Sequence, residues 1–520
     1  MKLYNNNDLD LVDKNIDKII ETIEELRKKL HPRPQDNPEN SSSETESESD
    51  TNNDSTTETE TTIENNDSNT KSTEPTTKSN PEQNIENQQI QPPQPTKEDI
   101  DNIVKITMKF ISDKKRKIYG GYAQNKCVSL KNKADAFYSD NDIPDIDVYS
   151  PTPIEDLVEL CNTLHDSGYT DVIGKEAMHK ETYKIFTKGY NAIDLSYVPK
   201  QIYDNIPFIE SDNIRYVNPS FAMIDLYRMM SEPLFSSWRW KKIFNRLFLL
   251  QKHFPFADVK YNQHSLKHQK LTNDTFQKLS NDILDFVTNN NSIYVIGDFA
   301  YNELVKFANM KEVRPINIHS YQIISTDYKN NAVNLIKKLN EIHKNITHEE
   351  FYPFWSFTDY SVEIYCEGEL IVKMYNNLKR CCPVKSINIG PNKTIQIGSF
   401  DFIFLMEMIN SFREKVSRNN NKKIYHDSLI SNLIRIREYY FNTNKKTLLD
   451  DTLFQSFIDT CAGDSYDPIM EAKKQRKERK KKTGSALFIY KPIRELKTKW
   501  IFANTSGNLI NNPKNLKLRI

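Results

Sequence analysis

The chain has 520 residues, 37% of them hydrophobic, with only 12 glycines, which is length enough for two or three domains with real cores. Its formal charge of zero conceals an asymmetry. Residues 31–96 hold 14 Asp and Glu against 3 Lys and Arg, a balance of −11, so the remainder carries +11 and suits a polyanionic partner or a solvated basic surface.

Several classes are excluded at this level. "MKLYNNNDLD" lacks the apolar core of a signal peptide, and the longest apolar runs, such as "FIFLMEMI" at 402–409, fall far short of a membrane span. A soluble intracellular protein without a membrane partner is expected. The six cysteines (Cys127, Cys161, Cys366, Cys381, Cys382, Cys461) include no CxxC pair, so reduced thiols are expected rather than a disulfide frame or a zinc site.

In chain order, residues 1–30 predict a helix. Leu9, Val12, Ile16, Ile19, Ile23, Leu26 and Leu30 step alternately by 3 and 4 and form a heptad seam. That seam suits either a helix docked on the main body or a coiled-coil dimer arm. Residues 31–96, with "SSSETESESDTNNDSTTETETT", hold almost no large apolar side chain and read as a disordered linker, because too little surface can be buried to offset ordering. From 97 the pattern turns globular: a helix in "TKEDIDNIVKITMKFISDKKRK", then "IYGGYAQNKCVSL" with a helix from Tyr122. A strand follows in "DIDVYS", a helix in "PIEDLVELCNTLHDSGY", and two strands turning at "KGYN" in "ETYKIFTKGYNAIDLSYV". Helical runs continue through "SFAMIDLYRMMSEP" and "SSWRWKKIFNRLFLLQKHF".

The same order then recurs. "IYVIGDFAYNELVKF" at 293–307 matches "RKIYGGYAQNKCVSL", with Gly297 at the place of Gly120 and Asn302 at that of Asn125. "PINIHS" falls against "DIDVYS", "GELIVKMY" against "YNAIDLSY", "GSFDFIFLMEMINS" against "PSFAMIDLYRMMSE" and "KKIYHDSLI" against "KKIFNRLFL". Five weak matches in one order predict a duplicated α/β (α+β) module. The expected organisation is 1–30 helix, 31–96 linker, 97–285 first module, 286–470 second module and 471–520 a basic C-terminal segment.

The two copies differ in their acids. Copy one carries Asp145 and Asp147, two apart and so on one face of an extended strand, and Asp194 on a later strand. Against these, copy two reads Pro315 and Asn317, with "IVK" for "AID". Acids needed only to hold the fold would survive in both copies, so those of copy one are assigned to chemistry. Three aspartates converging from neighbouring strands suit a pair of divalent cations, and hard oxygen ligands select Mg²⁺ or Mn²⁺. Gly120 and Gly121 at a helix start offer backbone N–H groups and a positive dipole end fitted to a triphosphate.

The series "YGG…DIDV…IDL" resembles the nucleotidyltransferase superfamily headed by DNA polymerase β, with a longer insert, "LKNKADAFYSDNDIP", before the acidic strand. An active copy followed by a degenerate one resembles the catalytic subunit of the viral poly(A) polymerases, of poxvirus and giant-virus (mimivirus-like) type. The resemblance implies a template-independent transfer of AMP from ATP to an RNA 3′ end. It also implies that Asp145 and Asp147 bind both ions (Mg²⁺ or Mn²⁺), that Asp194 binds the one that activates the 3′-hydroxyl, and that Gly120, Gly121, Gln124 and Asn125 line the ATP site. Asn302, retained in copy two, points instead to a bracing role for Asn125. A homodimer, a processivity subunit or copy two itself would keep the enzyme on its RNA, and a viral enzyme would work in the host cytoplasm, the viral factory or the virion. Poly(U) or CCA addition would use the same acids, and a non-catalytic RNA-binding scaffold is the reading from another class.

Near the C-terminus "KKQRKERKKK" sets Lys473, Lys474, Arg476, Lys477, Arg479, Lys480, Lys481 and Lys482 in one run, an expected RNA-backbone contact or a solvated helix face. Trp238, Arg239 and Trp240 offer base stacking or core packing.

Overall fold

The structure is a computed structural model that describes residues 1–30, 95–139, 142, 145–260, 271–377, 381–463, 468–484, 487–492 and 516–517. Nearly all of the expected linker, and residues 493–515 and 518–520 of the basic C-terminal segment, lie outside the described residues.

The N-terminal helix spans Asn6–Leu30 and starts where Asn5 and Asp8 exchange side-chain bonds with each other's backbone N–H (2.9 and 3.1 Å). Val12, Ile16 and Ile23 of its seam are buried, and the helix lies against the helix Trp240–His253. Tyr4 meets Phe244 edge-on at 4.7 Å, and Asp17 pairs with Lys241 at 3.1 Å. Of the two readings of the heptad seam, the structure shows the docked helix.

Two sheets follow. The first has eight strands in the order Ile489–Tyr490, Ile173–Glu176, Thr182–Thr187, Tyr190–Tyr197, Asp147–Ser150, Lys117–Tyr119, Ile214–Val217 and Phe208–Ser211. The second has nine, in the order Leu516–Lys517, Ile346–Phe351, Ser361–Cys366, Glu369–Asn376, Tyr321–Ser325, Ile293–Ile296, Lys393–Gly398, Cys382–Gly390 and Cys461–Ala462. Apart from the short end strands, the two orders agree strand for strand. In each, one strand, Lys117–Tyr119 or its counterpart Ile293–Ile296, runs straight into a helix beginning at a glycine, Gly120 or Gly297. Both glycines have positive φ (71° and 66°), the region that a residue without Cβ enters without cost. The chain therefore carries two modules of one topology in tandem.

Register fixes which residues correspond. In the first sheet Tyr119 lies opposite Asp147, Asp147 beside Asp194, and Asp194 opposite Lys184. In the second, Ile296 lies opposite Gln322, Gln322 beside Lys373, and Lys373 opposite Glu363. The counterpart of the acidic strand is thus Tyr321–Ser325, and the expected matching of "PINIHS" to "DIDVYS" is off by five residues. Residues 315–319 belong to no strand, and the strand that takes this place in the sheet starts only at Tyr321.

The cysteine expectation also needs correction. Cys381 and Cys461 form a disulfide across 80 residues, their Cα atoms 5.3 Å apart, because the strand Cys461–Ala462 pairs with Cys382 and Pro383. Cys127, Cys161, Cys366 and Cys382 are buried thiols. No described helix is long and apolar enough to cross a membrane.

Candidate active site

The acidic strand is shorter than expected. It runs Asp147–Ser150, with Asp145 exposed just ahead of it, while Ile146 and Val148 point into the core as alternation requires. Ile146 O accepts the Asp194 N–H at 2.9 Å, so the two acidic strands stay paired as far as Ile146, the residue after Asp145. Asp147 and Asp194 stand side by side in parallel register. Gly120 fits against them: a Cβ there would collide with Oδ2 of Asp147. Asp145, Asp147, Asp194, Gly120 and Gly121 are thereby gathered at one end of the sheet.

The electrostatics record this crowding. Burial, then Asp194 and Asp145, push Asp147 well above the ordinary carboxylate range. Burial raises Asp194 too, opposed by Lys184, whose Nζ lies 3.3 Å from Asp194 Oδ2, while Asn191 donates to Oδ1 at 2.7 Å. Among the described residues no three His, Cys, Asp or Glu side chains are arranged to hold a metal ion. The donor set fits a divalent cation all the same: hard carboxylate oxygens under mutual repulsion, with the Lys184 ammonium supplying the compensating charge.

The insert before the acidic strand has a visible task. Asn125 Oδ1 accepts the N–H groups of Phe137 and Tyr138 (2.8 and 3.0 Å), and Asp135 is held by Lys252 (2.8 Å) and His253 (2.6 Å). These bonds bring Tyr138 to the helix start, where a Cβ on Gly121 would lie 2.5 Å from its hydroxyl and 3.1 Å from Arg246 Nη2. Arg246 donates to Tyr138 Oη at 2.8 Å and spreads over the Phe137 ring. Asn302 does for the second module what Asn125 does for the first, exchanging two 2.8 Å bonds with the Ile316 backbone. Gln124 is buried, and its Oε1 has no hydrogen-bond partner among the described residues.

Sequence reasoning missed a basic wall. Lys242 and Arg246 stand four apart on one face of the helix Trp240–His253, and Arg239 ends the 3-10 turn just before it, a 3-and-4 spacing that was there to read. Arg239 is close enough to steady the Asp147 carboxylate, and burial with Arg246 draws Lys242 down to about 8. Arg239 and Arg228, with Lys184, add to burial in disfavouring the proton on His179. The tryptophans divide: Trp240 is fully buried, and Trp238 is 62% exposed. The basic run forms the helix Pro468–Thr483, in which Arg476 and Arg479 are half-buried against the first module and the six lysines are exposed.

Paired carboxylates beside a glycine-started helix, faced by arginines, can bind a polyphosphate and the cations that accompany it. The family model for the poly(A) polymerase catalytic subunit matches residues 105–236, and that for the C-terminal part of the mimivirus poly(A) polymerase catalytic subunit matches 249–520. A poly(A) polymerase catalytic subunit of Acanthamoeba polyphaga mimivirus is 30% identical over 457 residues, covering 80% of this chain and 78% of the relative. The African swine fever virus counterpart is 30% identical over 169 residues, 31% of this chain and 35% of its own length. Among solved structures, the Megavirus polyadenylate synthase superposes with a TM-score of 0.72 at 32% identity, covering 81% of this chain and 88% of that one. This chain belongs to the viral poly(A) polymerase catalytic-subunit family, enzymes of the nucleotidyltransferase superfamily.

Proposed function

We propose that the first module adds AMP from ATP to RNA 3′ ends without a template, and that the second is a degenerate copy that has given up the chemistry. The observation that carries the first half is the parallel juxtaposition of Asp147 and Asp194 beside Gly120. Asp145, Asp147 and Asp194 would hold two Mg²⁺ or Mn²⁺ ions, which lower the pKa of an attacking hydroxyl and neutralise charge on the leaving oxygens. Around them the chain's own groups bind and orient. The first N–H groups of the helix Gly120–Lys131 and the Arg239, Lys242 and Arg246 face take the phosphates, and Tyr138 fixes Arg246 in place. Lys184 holds Asp194 in its present orientation. The RNA 3′ oxygen attacks the α-phosphorus, a new P–O bond forms, the bond to the β-phosphate breaks, and pyrophosphate departs as the hydroxyl proton is lost.

What supports the second half is a set of charge changes at corresponding positions, three of them reversals. Gly121 becomes Asp298, Asp147 becomes Gln322, Asp194 becomes Lys373 and Lys184 becomes Glu363; in the matched "KKI" helices, Arg246 becomes Asp427. An acid at the helix start and another in place of an arginine repel phosphate, and a lysine in place of an acid repels a cation.

The test is extension of a short labelled RNA with Mg²⁺ or Mn²⁺ and each NTP separately, beside Asp145→Ala/Asp147→Ala. A ladder with ATP alone, absent in the variant, is expected. Extension by another nucleotide would keep the site and change the base, and no extension with any NTP alongside intact RNA binding would leave only the scaffold reading.

A further inference from the structure

The helix Pro468–Thr483 divides its basic residues into two jobs. Arg476 and Arg479, three apart, face the first module: Arg479 makes two bonds to the Glu176 carboxylate (2.7 and 3.1 Å), and Arg476 donates to Ala177 O and to Met178 Sδ. The chain after it continues the attachment. Glu176 N donates to Phe488 O at 3.0 Å, Ile489 and Tyr490 pair with Lys175 and Gly174, and Phe488 meets the Tyr183 ring edge-on. At 100° per residue, Lys474, Lys477 and Lys481 fall opposite the arginine face, with Lys473, Lys480 and Lys482 beside them, all exposed.

The attachment point sits beside the candidate active site. Glu176 is in register with Tyr183, the neighbour of Lys184, and Lys184 is in register with Asp194, so two strand spacings, about 10 Å, separate Glu176 from the strand that carries Asp194. A lysine row clamped at that distance has the form of a track for a phosphate backbone. It lacks the apolar face that a helix lying on a membrane requires.

We propose that Lys473, Lys474, Lys477, Lys480, Lys481 and Lys482 form a sequence-independent track for the single-stranded RNA upstream of the 3′ end, held in place by Arg476 and Arg479. This rests on the reading of the first module as an RNA-extending enzyme. The full chain with all six lysines changed to Gln is compared with the unaltered chain by fluorescence anisotropy on oligo(A) of 6 and 40 nucleotides across a salt series. Affinity for the 40-mer is expected to fall on the order of tenfold to a hundredfold, with the salt slope shallower by roughly 0.7 for each phosphate no longer neutralised, and the loss should be larger than on the 6-mer. Glu176→Gln, which keeps every lysine but releases the clamp, should weaken the 40-mer as well. Unchanged 40-mer affinity and salt slope in a folded six-lysine variant would overturn the track, as would an equal loss on both lengths. Binding is read without turnover, so a chain that extends no primer would overturn the catalytic reading while the anisotropy still decides for or against the track.

Discussion

Gly120 shows how little room the candidate active site leaves. Its φ of 71° is strained for any residue with a Cβ, and that Cβ would displace the Asp147 carboxylate. We expect Gly120→Ala to cost about 1–2 kcal/mol of stability, while moving Asp147 far enough to lower nucleotide addition by about a hundredfold. Melting curves and primer extension on the same preparation separate the two effects. The corresponding neighbour in the second module, Asp298, reports on pH instead. Burial and then the neighbouring Glu407 raise its carboxyl to about 6, against the opposing pull of the hydrogen bonds from Tyr425 Oη (2.9 Å) and the His319 N–H (3.4 Å) and of His426. The native state therefore holds this proton more tightly than the unfolded chain does. The stability that the proton contributes is full below the unfolded value of 3.8 and is lost as pH rises through about 6. Asp298→Asn should relieve a cost of about 3 kcal/mol at pH 7.5 that is absent near pH 3.5. The difference between variant and unaltered chain across that range isolates Asp298 from the other titrating groups, and a flat difference would refute the assignment.

At the scale of elements, the strand pair Ser361–Cys366 and Glu369–Asn376 carries the inverted image of the Lys184–Asp194 pair. Lys373 Nζ lies 3.0 Å from Glu363 Oε1, Tyr365 Oη donates to Oε2 at 2.5 Å, and Glu363 is only 1% exposed. A buried ion pair is costly to halve, because the remaining charge has no water to turn to. Glu363→Gln should lose about 3–5 kcal/mol, seen as a lower urea midpoint, and a midpoint unchanged within error would show that Lys373 finds other compensation. Much of this element was legible in its first-module twin. Alternation in "ETYKIFTKGYNAIDLSYV" marked both strands, and Lys188 and Gly189 turn with φ of 49° and 75° as a tight hairpin demands. That Gly120, Asp147 and Asp194 lie together was legible, since a strand running into a glycine-started helix and two acids on strands can be read from residue type and alternation. The second module's register was not, because "PINIHS" has the pattern of the acidic strand but lies in no strand, and only pairing with Ile293–Ile296 and Glu369–Asn376 puts Tyr321–Ser325 in that place. The Cys381–Cys461 bridge, the Arg246–Tyr138 bond and the anchoring of Arg476 and Arg479 join residues far apart in the chain, and no local spacing encodes such a meeting.

Across the whole body, the second module reaches both acidic strands of the first through one side chain. Trp355 donates its indole N–H to Tyr197 O at 3.3 Å, at the end of the strand that carries Asp194. Its ring meets Tyr149 edge-on at 5.7 Å, on the strand that carries Asp147, and Tyr149 in turn stacks at 3.8 Å on Tyr119, the residue before Gly120. Phe221, Phe357 and Phe412 pack around this contact and join the two modules in one aromatic cluster. A module kept only as ballast would have no reason to steady the two strands whose spacing decides whether the carboxylates can act together. If the second module does set that spacing, Trp355→Ala should lower kcat by about tenfold or more well below its melting temperature, with a smaller change in KM for ATP, on top of a stability loss of about 3 kcal/mol. Trp355→Phe, which keeps a ring against Tyr149 and gives up only the bond to Tyr197 O, should recover most of kcat. Equal kcat in all three folded proteins would instead make the contact a structural seam, and the second module's contribution would then be sought in RNA binding alone.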